Sequence, residues 1–307
     1  MSTADAIADL QSRFGIENTV LFEQDPGGLI RLMVTTPAVR GQLYLQGAHV
    51  TGFQPAGVAP LLFTSDHSSF EPGRPIRGGV PICFPWFAAK ADDADAPMHG
   101  FVRHTVWDVT SVTQDDALNV DVTLKLTSRR ATRRWWPHEF EILCSVSFSK
   151  TLAMSLTVTN PQSDGQGFRY EAALHTYLAV ADVRRVSIRG LRGAAFIDKT
   201  EGLAHRIQAD DPLTIQGETD RIYVDTNAPC IVDDPGLERR LTVSPAGTHN
   251  TVVWNPWVEK AKRLTDLGDD QWQRMLCIET ANVGEHAVHL PPGRAHTMTA
   301  RVGCDTL

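Results

Sequence analysis

Apolar and polar residues alternate with a period of two through the middle of the chain. The clearest example is residues 120–126, where valine and leucine alternate with aspartate, threonine and lysine, as expected for a strand that is buried on one face. The same pattern recurs at residues 140–148 and 152–158, with only a short connection between them. These three segments predict an antiparallel meander.

Helical patterns are sparse. Residues 4–14 predict one helix with Ile7, Leu10 and Phe14 on one face, and a second, short helix with a modest apolar stripe is expected within residues 257–267. The chain lacks the alternating strand–helix units of a parallel α/β sheet. We therefore expect an all-β protein, one large antiparallel β-sandwich with a few short helices, forming a single domain over residues 1–307 with residues 1–19 as an N-terminal extension.

Charge and cysteine usage narrow the possible partners. The net charge of −7 argues against nucleic acids and anionic membranes as partners, and no run approaches the roughly 18 apolar residues of a membrane span. The five cysteines are scattered without paired spacing, which argues against a disulfide framework and a zinc site. The first residues carry acids rather than the basic start of a signal peptide. We expect a cytoplasmic protein.

An unusual segment carries two arginines. Residues 77–87 begin with Arg77 and contain two glycines and two prolines among apolar residues, and residues 99–103 place His99 close to Arg103. Such a loop should be stiff and half buried. Guanidinium groups bind carboxylate or phosphate through two parallel hydrogen bonds, so the segment indicates a basic patch for an anion. The alternative is a tight corner with two surface arginines.

Glu279 ends a nearly continuous apolar run over residues 275–279. A strand of this kind is covered on both faces, so the carboxylate would be poorly solvated. Poor solvation raises the pKa of a carboxyl group toward the range that suits a general base. The alternative is a strand end that has reached water.

His175 lies in residues 169–177, which predict one strand. Alternation would place Arg169, Glu171, Ala173, His175 and Tyr177 on one largely polar face. Histidine is the side chain best suited to exchange a proton near neutral pH. A structural histidine is the alternative.

Asp225 ends a further alternating segment, residues 221–225, in which it shares a face with Tyr223. Its carboxylate could hold sugar hydroxyl groups, or it could start a turn.

A metal site and a nucleic-acid site are two weaker alternatives. The histidines at 99, 104, 138 and 175 lack the spacing of metal ligands. The basic and aromatic residues of 129–138 could bind a single nucleic-acid strand, but a loop that packs its tryptophans is more common.

Taken together, the motifs resemble those of the aldose 1-epimerase (galactose mutarotase-like) superfamily, and specifically its hexose-6-phosphate mutarotase branch. The resemblance covers about residues 20–303. Seven motifs occur in the order of that branch, at residues 77–87, 99–103, 136–140, 171–177, 223–225, 253–257 and 277–282.

The resemblance implies a large antiparallel β-sandwich with a sugar site in a cleft on one sheet. It implies that His175 is the general acid and Glu279 the general base, that Asp225 holds the sugar, and that Arg77 and Arg103 hold the phosphate. Met98 and His99 would complete the substrate site. Met98 is a departure, because many members carry glutamine just before the His-Gly-Phe segment.

The expected function is interconversion of the α and β anomers of a hexose 6-phosphate, with glucose 6-phosphate as the leading candidate. The protein would act as a monomer without metal or other cofactor. The reaction requires Glu279 to start ionised and His175 protonated, and a neighbouring carboxylate such as Asp225 would keep the histidine charged. The alternatives are a mutarotase for unphosphorylated aldoses and a sugar-phosphate-binding protein without catalytic activity.

Overall fold

The computed structural model describes residues 2–307, with 44% of residues in strands and 11% in helices. The first strands in chain order are Val20–Gln24 (β1), Ile30–Thr35 (β2), Val39–Tyr44 (β3), His49–Pro55 (β4), Ile82–Cys83 (β5), Asp108–Gln114 (β6), Val120–Thr127 (β7), Glu141–Phe148 (β8), Leu152–Thr159 (β9), Phe168–Tyr170 (β10) and Ala172–Leu174 (β11). The later strands are Tyr177–Ala179 (β12), Ser187–Arg189 (β13), Ala195–Asp198 (β14), Ala204–Ile207 (β15), Thr219–Val224 (β16), Cys230–Asp234 (β17), Arg239–Ala246 (β18), Asn250–Asn255 (β19), Met275–Asn282 (β20), Val288–Leu290 (β21) and Ala295–Thr306 (β22).

The helices are short and lie at the edges of the sheets. They are Thr3–Phe14 (α1), Arg130–Arg133 (α2) and Trp257–Ala261 (α3), together with 3₁₀ turns at Val102–His104, Lys199–Glu201, Gln271–Arg274 and Gly284–His286. None of the helices within residues 2–307 has the length and apolar character that crossing a membrane requires.

Two eight-stranded antiparallel sheets form most of the structure. The front sheet has the order β15-β14-β16-β19-β20-β11-β5, and β12 also pairs with β20. The back sheet has the order β13-β17-β18-β22-β9-β8-β7-β6. Strands β1 to β4 form a four-stranded sheet, and β10 pairs with β21. The expected all-β class and the meander over residues 120–158, which is β7-β8-β9, are both confirmed.

Alternation places the apolar residues in one buried cluster that draws on both large sheets. In β7 the four apolar residues are fully buried, whereas the residues between them are partly or fully exposed. Leu124 and Leu156 of the back sheet belong to the same buried cluster as Val253 and Ile278 of the front sheet. The sheets therefore share a core, as expected for a sandwich. The single domain over residues 1–307 stays a prediction.

Both predicted helices are present in the structure. The helix at residues 4–14 is confirmed as α1, which begins at Thr3 behind a capping box made by Ser2 and Asp5. The short helix predicted within residues 257–267 is confirmed as α3, which begins at Trp257 and ends at Ala261. Beyond it the chain continues in tighter turns, with Leu264 N–H bonded to Ala261 O and Leu267 N–H bonded to Leu264 O.

The single strand predicted over residues 169–177 is wrong. Strand β10 pairs with β21, whereas β11 and β12 pair with β20, and His175 lies between β11 and β12 with its N–H bonded to Pro81 O at 3.0 Å. His175 and Tyr177 still lie on the same side of the chain, because their rings stack. The Glu171 carboxylate turns aside to accept hydrogen bonds from Phe87 N and Gly284 N.

The basic and aromatic segment at residues 129–138 packs into the protein. It contains α2, and the Trp136 ring is 8% exposed and lies edge-on to Phe84 at 5.3 Å between centroids. This packing matches the loop interpretation of the segment.

Gly100 lies where residues 99–103 pass close to the backbone of Phe84. Its φ is +80°, and a Cβ at this position would lie 1.7 Å from Phe84 O. Gly100→Ala should therefore lower the free energy of unfolding by about 2–4 kcal/mol in urea denaturation. Gly57→Ala is the matched control, because Gly57 has a φ of +74° but no atom within 4 Å of the added carbon. Equal losses for the two variants would contradict the proposed steric cause.

Candidate active site

Strand β20 carries Glu279 through the centre of the front sheet. All eight of its residues are buried, and Glu279 is 1% exposed. The idea that this strand end has reached water is therefore wrong.

Strand register brings His175 to Glu279. On one side β20 pairs with β19, where Val252 lies opposite Glu279. On the other side Leu174 lies opposite Thr280, and Tyr177 lies opposite Cys277. His175 is thereby held beside Glu279, with 3.2 Å between His175 Nε2 and Glu279 Oε1. The Tyr177 ring stacks on the His175 ring at 4.7 Å between centroids, which fixes the plane of the imidazole.

The pair opens into a cleft of about 350 Å³, called here the His175–Glu279 cleft. Six of the seven site residues predicted from the sequence line it, and Asp225 does not. The full set of lining residues is Arg77, Phe87, Ala88, Met98, His99, Arg103, His175, Lys199, Asp220, Trp254, Lys260, Leu264 and Glu279.

Burial favours the uncharged forms of His175 and Glu279. The pKa of Glu279 is raised well above its usual value, by desolvation first and by the charge of Asp220 second. The pKa of His175 is lowered well below its usual value, by desolvation first and then by His99, Arg77 and Arg103. Both shifts favour the neutral form of the pair. The expectation of a histidine kept charged by Asp225 is wrong, because His175 faces cations and Asp225 is elsewhere.

The two arginines differ in what compensates their charge. Arg77 donates a hydrogen bond to the Tyr177 hydroxyl at 3.0 Å and forms an ion pair with Asp266 at 3.0 Å. Arg103 donates to the Met98 carbonyl at 2.8 Å, and no ion pair with a carboxylate is found for it in the part of the chain that the structure describes. Burial and the neighbouring Arg77 lower the pKa of Arg103. The charge of Arg103 is therefore less compensated by neighbouring groups than that of Arg77.

His99 does not contribute a positive charge. Its Nδ1 accepts a hydrogen bond from Ala88 N at 3.2 Å, and its ring lies edge-on to His175 at 5.9 Å between centroids. Burial, followed by the charges of Arg103, Lys199 and Arg77, lowers the pKa of His99 to about 3. The basic patch expected from the sequence is therefore made by the arginines, with His99 as a neutral wall. Met98 is half exposed on the cleft wall.

Sequence reasoning did not assign five polar or aromatic residues to the cleft, namely Phe87, Lys199, Asp220, Trp254 and Lys260. Asp220 is the most informative of these. It lies in β16 opposite Trp254, and its carboxylate is 3.3 Å from Lys199 Nζ and 3.7 Å from Lys260 Nζ. Alternation counted backwards from Ile222 and Val224 would have placed Asp220 on their face.

Asp225 lies outside the His175–Glu279 cleft. It follows β16 in a bend with a φ of +54°, and its side chain is 78% exposed. The left-handed backbone breaks the alternation, so Asp225 lines the same neighbouring cavity as Ile222 and Val224 rather than sharing the face of buried Tyr223. This neighbouring cavity has a volume of about 650 Å³ and shares Phe87, Ala88 and Lys199 with the cleft. The structure favours the turn interpretation of Asp225.

Comparison with known proteins agrees with this geometry. The family model described as aldose 1-epimerase matches residues 32–302. The chain belongs to the aldose 1-epimerase family. It is accordingly an isomerase, and the resemblance noted in the sequence is confirmed.

Individual relatives are similar over most of their length. A protein of Escherichia coli K12 is 35% identical over 83% of each chain, and one of Salmonella typhimurium LT2 is 34% identical over 90% of this chain and 91% of its own. Both bear the name "Putative glucose-6-phosphate 1-epimerase". A crystal structure from Salmonella typhimurium, described as "a putative mutarotase", has a TM-score of 0.89 and 29% identity with full coverage of both chains. A galactose 1-epimerase from Lactobacillus acidophilus shares the fold, with a TM-score of 0.71 at 13% identity and coverage of 94% and 99%.

Proposed function

We propose that this protein interconverts the α and β anomers of a hexose 6-phosphate, with glucose 6-phosphate as the first candidate. The observation that carries the proposal is a single cleft that combines a buried His175–Glu279 pair with Arg77 and Arg103. An acid–base couple suits ring opening, and two arginines suit a phosphate group. The names of the bacterial relatives point to the same substrate.

The chemistry needs one base and one acid at neighbouring oxygens. Ionised Glu279 takes the proton of the C1 hydroxyl group, while protonated His175 gives its proton to the ring oxygen. The C1–ring oxygen bond breaks and the C1 carbonyl forms. Rotation about C1–C2 presents the other face of the aldehyde. The ring oxygen then attacks C1 and returns its proton to His175, while Glu279 returns a proton to the C1 oxygen. No electrons or other groups are transferred.

The neutral resting pair holds the right number of protons for this reaction. A neutral carboxyl group and a neutral imidazole differ from the reactive ion pair only in the position of one proton across 3.2 Å. Substrate binding can shift that proton. The phosphate carries about −1.5 to −2 charges, and it would offset Arg77 and Arg103, which lower the pKa of His175. The phosphate would thus favour the protonated histidine that the reaction needs.

The other cleft residues take supporting parts in the proposal. In the proposal Asp220 replaces Asp225 as the carboxylate that accepts hydrogen bonds from sugar hydroxyl groups, because it lines the cleft beside Glu279. Lys199 and Lys260 form ion pairs with Asp220 and hold its carboxylate in position. Met98 stands where a polar side chain is usual in the related branch, so substrate contacts at that wall would differ.

The monomeric state and the cytoplasmic location stay predictions.

NMR exchange spectroscopy on glucose 6-phosphate tests the proposal. The exchange rate between the α and β anomers should rise in proportion to protein concentration, since the cleft supplies both proton-transfer groups. Glucose measured under the same conditions should exchange much more slowly per protein molecule, because it leaves the arginines without an anion. Exchange at the background rate, with binding still seen by calorimetry, would instead establish a binding protein. Equal rates for both sugars would establish a mutarotase for unphosphorylated aldoses.

A further inference from the structure

A second cluster of ionisable side chains lies outside the His175–Glu279 cleft, at the edge of the neighbouring cavity. It consists of Asp225, His249 and His286, and each offers a ligand atom within 4.8 Å of the other two. Asp225 Oδ1 is 3.2 Å from His286 Nε2, and the rings of His249 and His286 lie nearly parallel with 5.2 Å between their centroids. We propose that these three side chains bind a divalent transition-metal ion, with Zn²⁺ as the best match.

The distances agree with those of a zinc site. When ligand atoms stand about 2.0–2.1 Å from a tetrahedral ion, two of them are about 3.3 Å apart. The Asp225–His286 separation already has this value. His249 is exposed, so its ring can rotate to close the remaining gap. Two imidazoles and one carboxylate are a known ligand set for zinc with a free fourth position.

The backbone holds the three ligands in place from separate parts of the front sheet. His249 N donates to Asn282 Oδ1 at 3.1 Å, and His249 O accepts from Thr226 N at 3.0 Å, directly after Asp225. His286 N donates to Val283 O at 3.1 Å, at the end of β20. Because these positions are fixed by folding, binding an ion costs little further ordering of the chain. The three residues are far apart in the sequence, which explains why no short metal-binding motif contains them.

The proposed ion would border the neighbouring cavity, since both Asp225 and His286 line it. Water or an anionic group in that cavity could take the fourth coordination position. None of the three ligands lines the His175–Glu279 cleft. The proposal therefore does not depend on the proposed function, and anomer exchange measured on the metal-free protein tests that function separately.

Calorimetric titration of the metal-stripped full-length protein with ZnCl₂ is the first test. One equivalent should bind, and His249→Ala and His286→Ala should each weaken binding at least about tenfold. His67→Ala is the matched control, because His67 is an exposed histidine outside the cluster, and it should bind zinc as the unaltered protein does. Unchanged affinity in the His249→Ala/His286→Ala double variant would overturn the proposal.

Cobalt substitution gives a second measurement that does not require each variant to be equally stable. CoCl₂ should produce visible absorption bands of a low-coordinate site in the unaltered protein and in His67→Ala. Asp225→Asn changes an exposed side chain, so the fold should be retained while the bands weaken and shift. Bands that are absent from the unaltered protein, or identical in Asp225→Asn, would show that the cluster is only an ion pair beside two stacked rings.

Discussion

Glu279→Gln should lower kcat for anomer exchange of glucose 6-phosphate by about 10²–10⁴-fold. The amide keeps the size of the carboxyl group and can still form a hydrogen bond across the 3.2 Å to His175 Nε2. It cannot take the proton of the C1 hydroxyl group, so only the base is removed. KM should change little, because the arginines and Asp220 are untouched. NMR exchange spectroscopy over a range of substrate concentrations separates the two constants.

The same substitution should increase the free energy of unfolding. The pKa of Glu279 is raised in the folded protein, so the unfolded chain loses the proton first as the pH rises. Stability is then lost between the ordinary pKa near 4.5 and the raised folded value. Glutamine has no such titration. The advantage of Glu279→Gln in urea denaturation should therefore grow as the pH rises above about 4.5.

Glu259→Gln is the matched control for both measurements. It makes the same chemical change at a side chain that is 79% exposed on α3, so activity and stability should stay near those of the unaltered protein. A Glu279→Gln variant that keeps full activity would remove Glu279 from the role of base. A variant that loses activity together with its fold would contradict the electrostatic argument for stability.

The sequence was sufficient for the strands that form the core and for selecting His175 and Glu279, which line one cleft in the structure. Alternation in β7, β8 and β9 predicted their faces because each is long and covered on one side. The continuous apolar run before Glu279 predicted its burial because β20 is covered on both faces. The contact of His175 with Glu279 could not be predicted from local pattern, because it depends on the register of Leu174 against Thr280 across 106 positions of sequence.

Two other features depended on backbone geometry that the pattern does not encode. The left-handed backbone at Asp225 turned its side chain out of the predicted face. As a result Asp220, and not Asp225, is the aspartate that lines the cleft. The break after β11 divided a segment whose composition resembles one strand. The lowered pKa of His175 depends first on its burial and then on His99, Arg77 and Arg103, which come from a segment distant in sequence. Each of these is a tertiary effect that overrides local preference.

Arg103→Ala should lower kcat/KM for glucose 6-phosphate by roughly 10²–10³-fold, since truncation of one partner in a buried charged hydrogen-bond pair costs about 2–5 kcal/mol. Arg103 is the better test of phosphate binding than Arg77. Removing Arg77 would also leave Asp266 and the Tyr177 hydroxyl without their partner, whereas removing Arg103 leaves only the Met98 carbonyl. Arg103→Lys, which keeps the charge but loses the planar pair of donors, should show an intermediate loss.

Unphosphorylated glucose supplies the control that distinguishes a phosphate contact from general damage to the cleft. Arg103 lowers the pKa of His175, and glucose brings no anion to offset it. Removing Arg103 should therefore leave the glucose exchange rate unchanged or increase it, because protonated His175 becomes easier to form. The phosphosugar and the free sugar should thus respond in different directions to one substitution. A loss of the same size for both sugars in NMR exchange would reject Arg103 as the phosphate ligand and would place its role in the shape of the cleft.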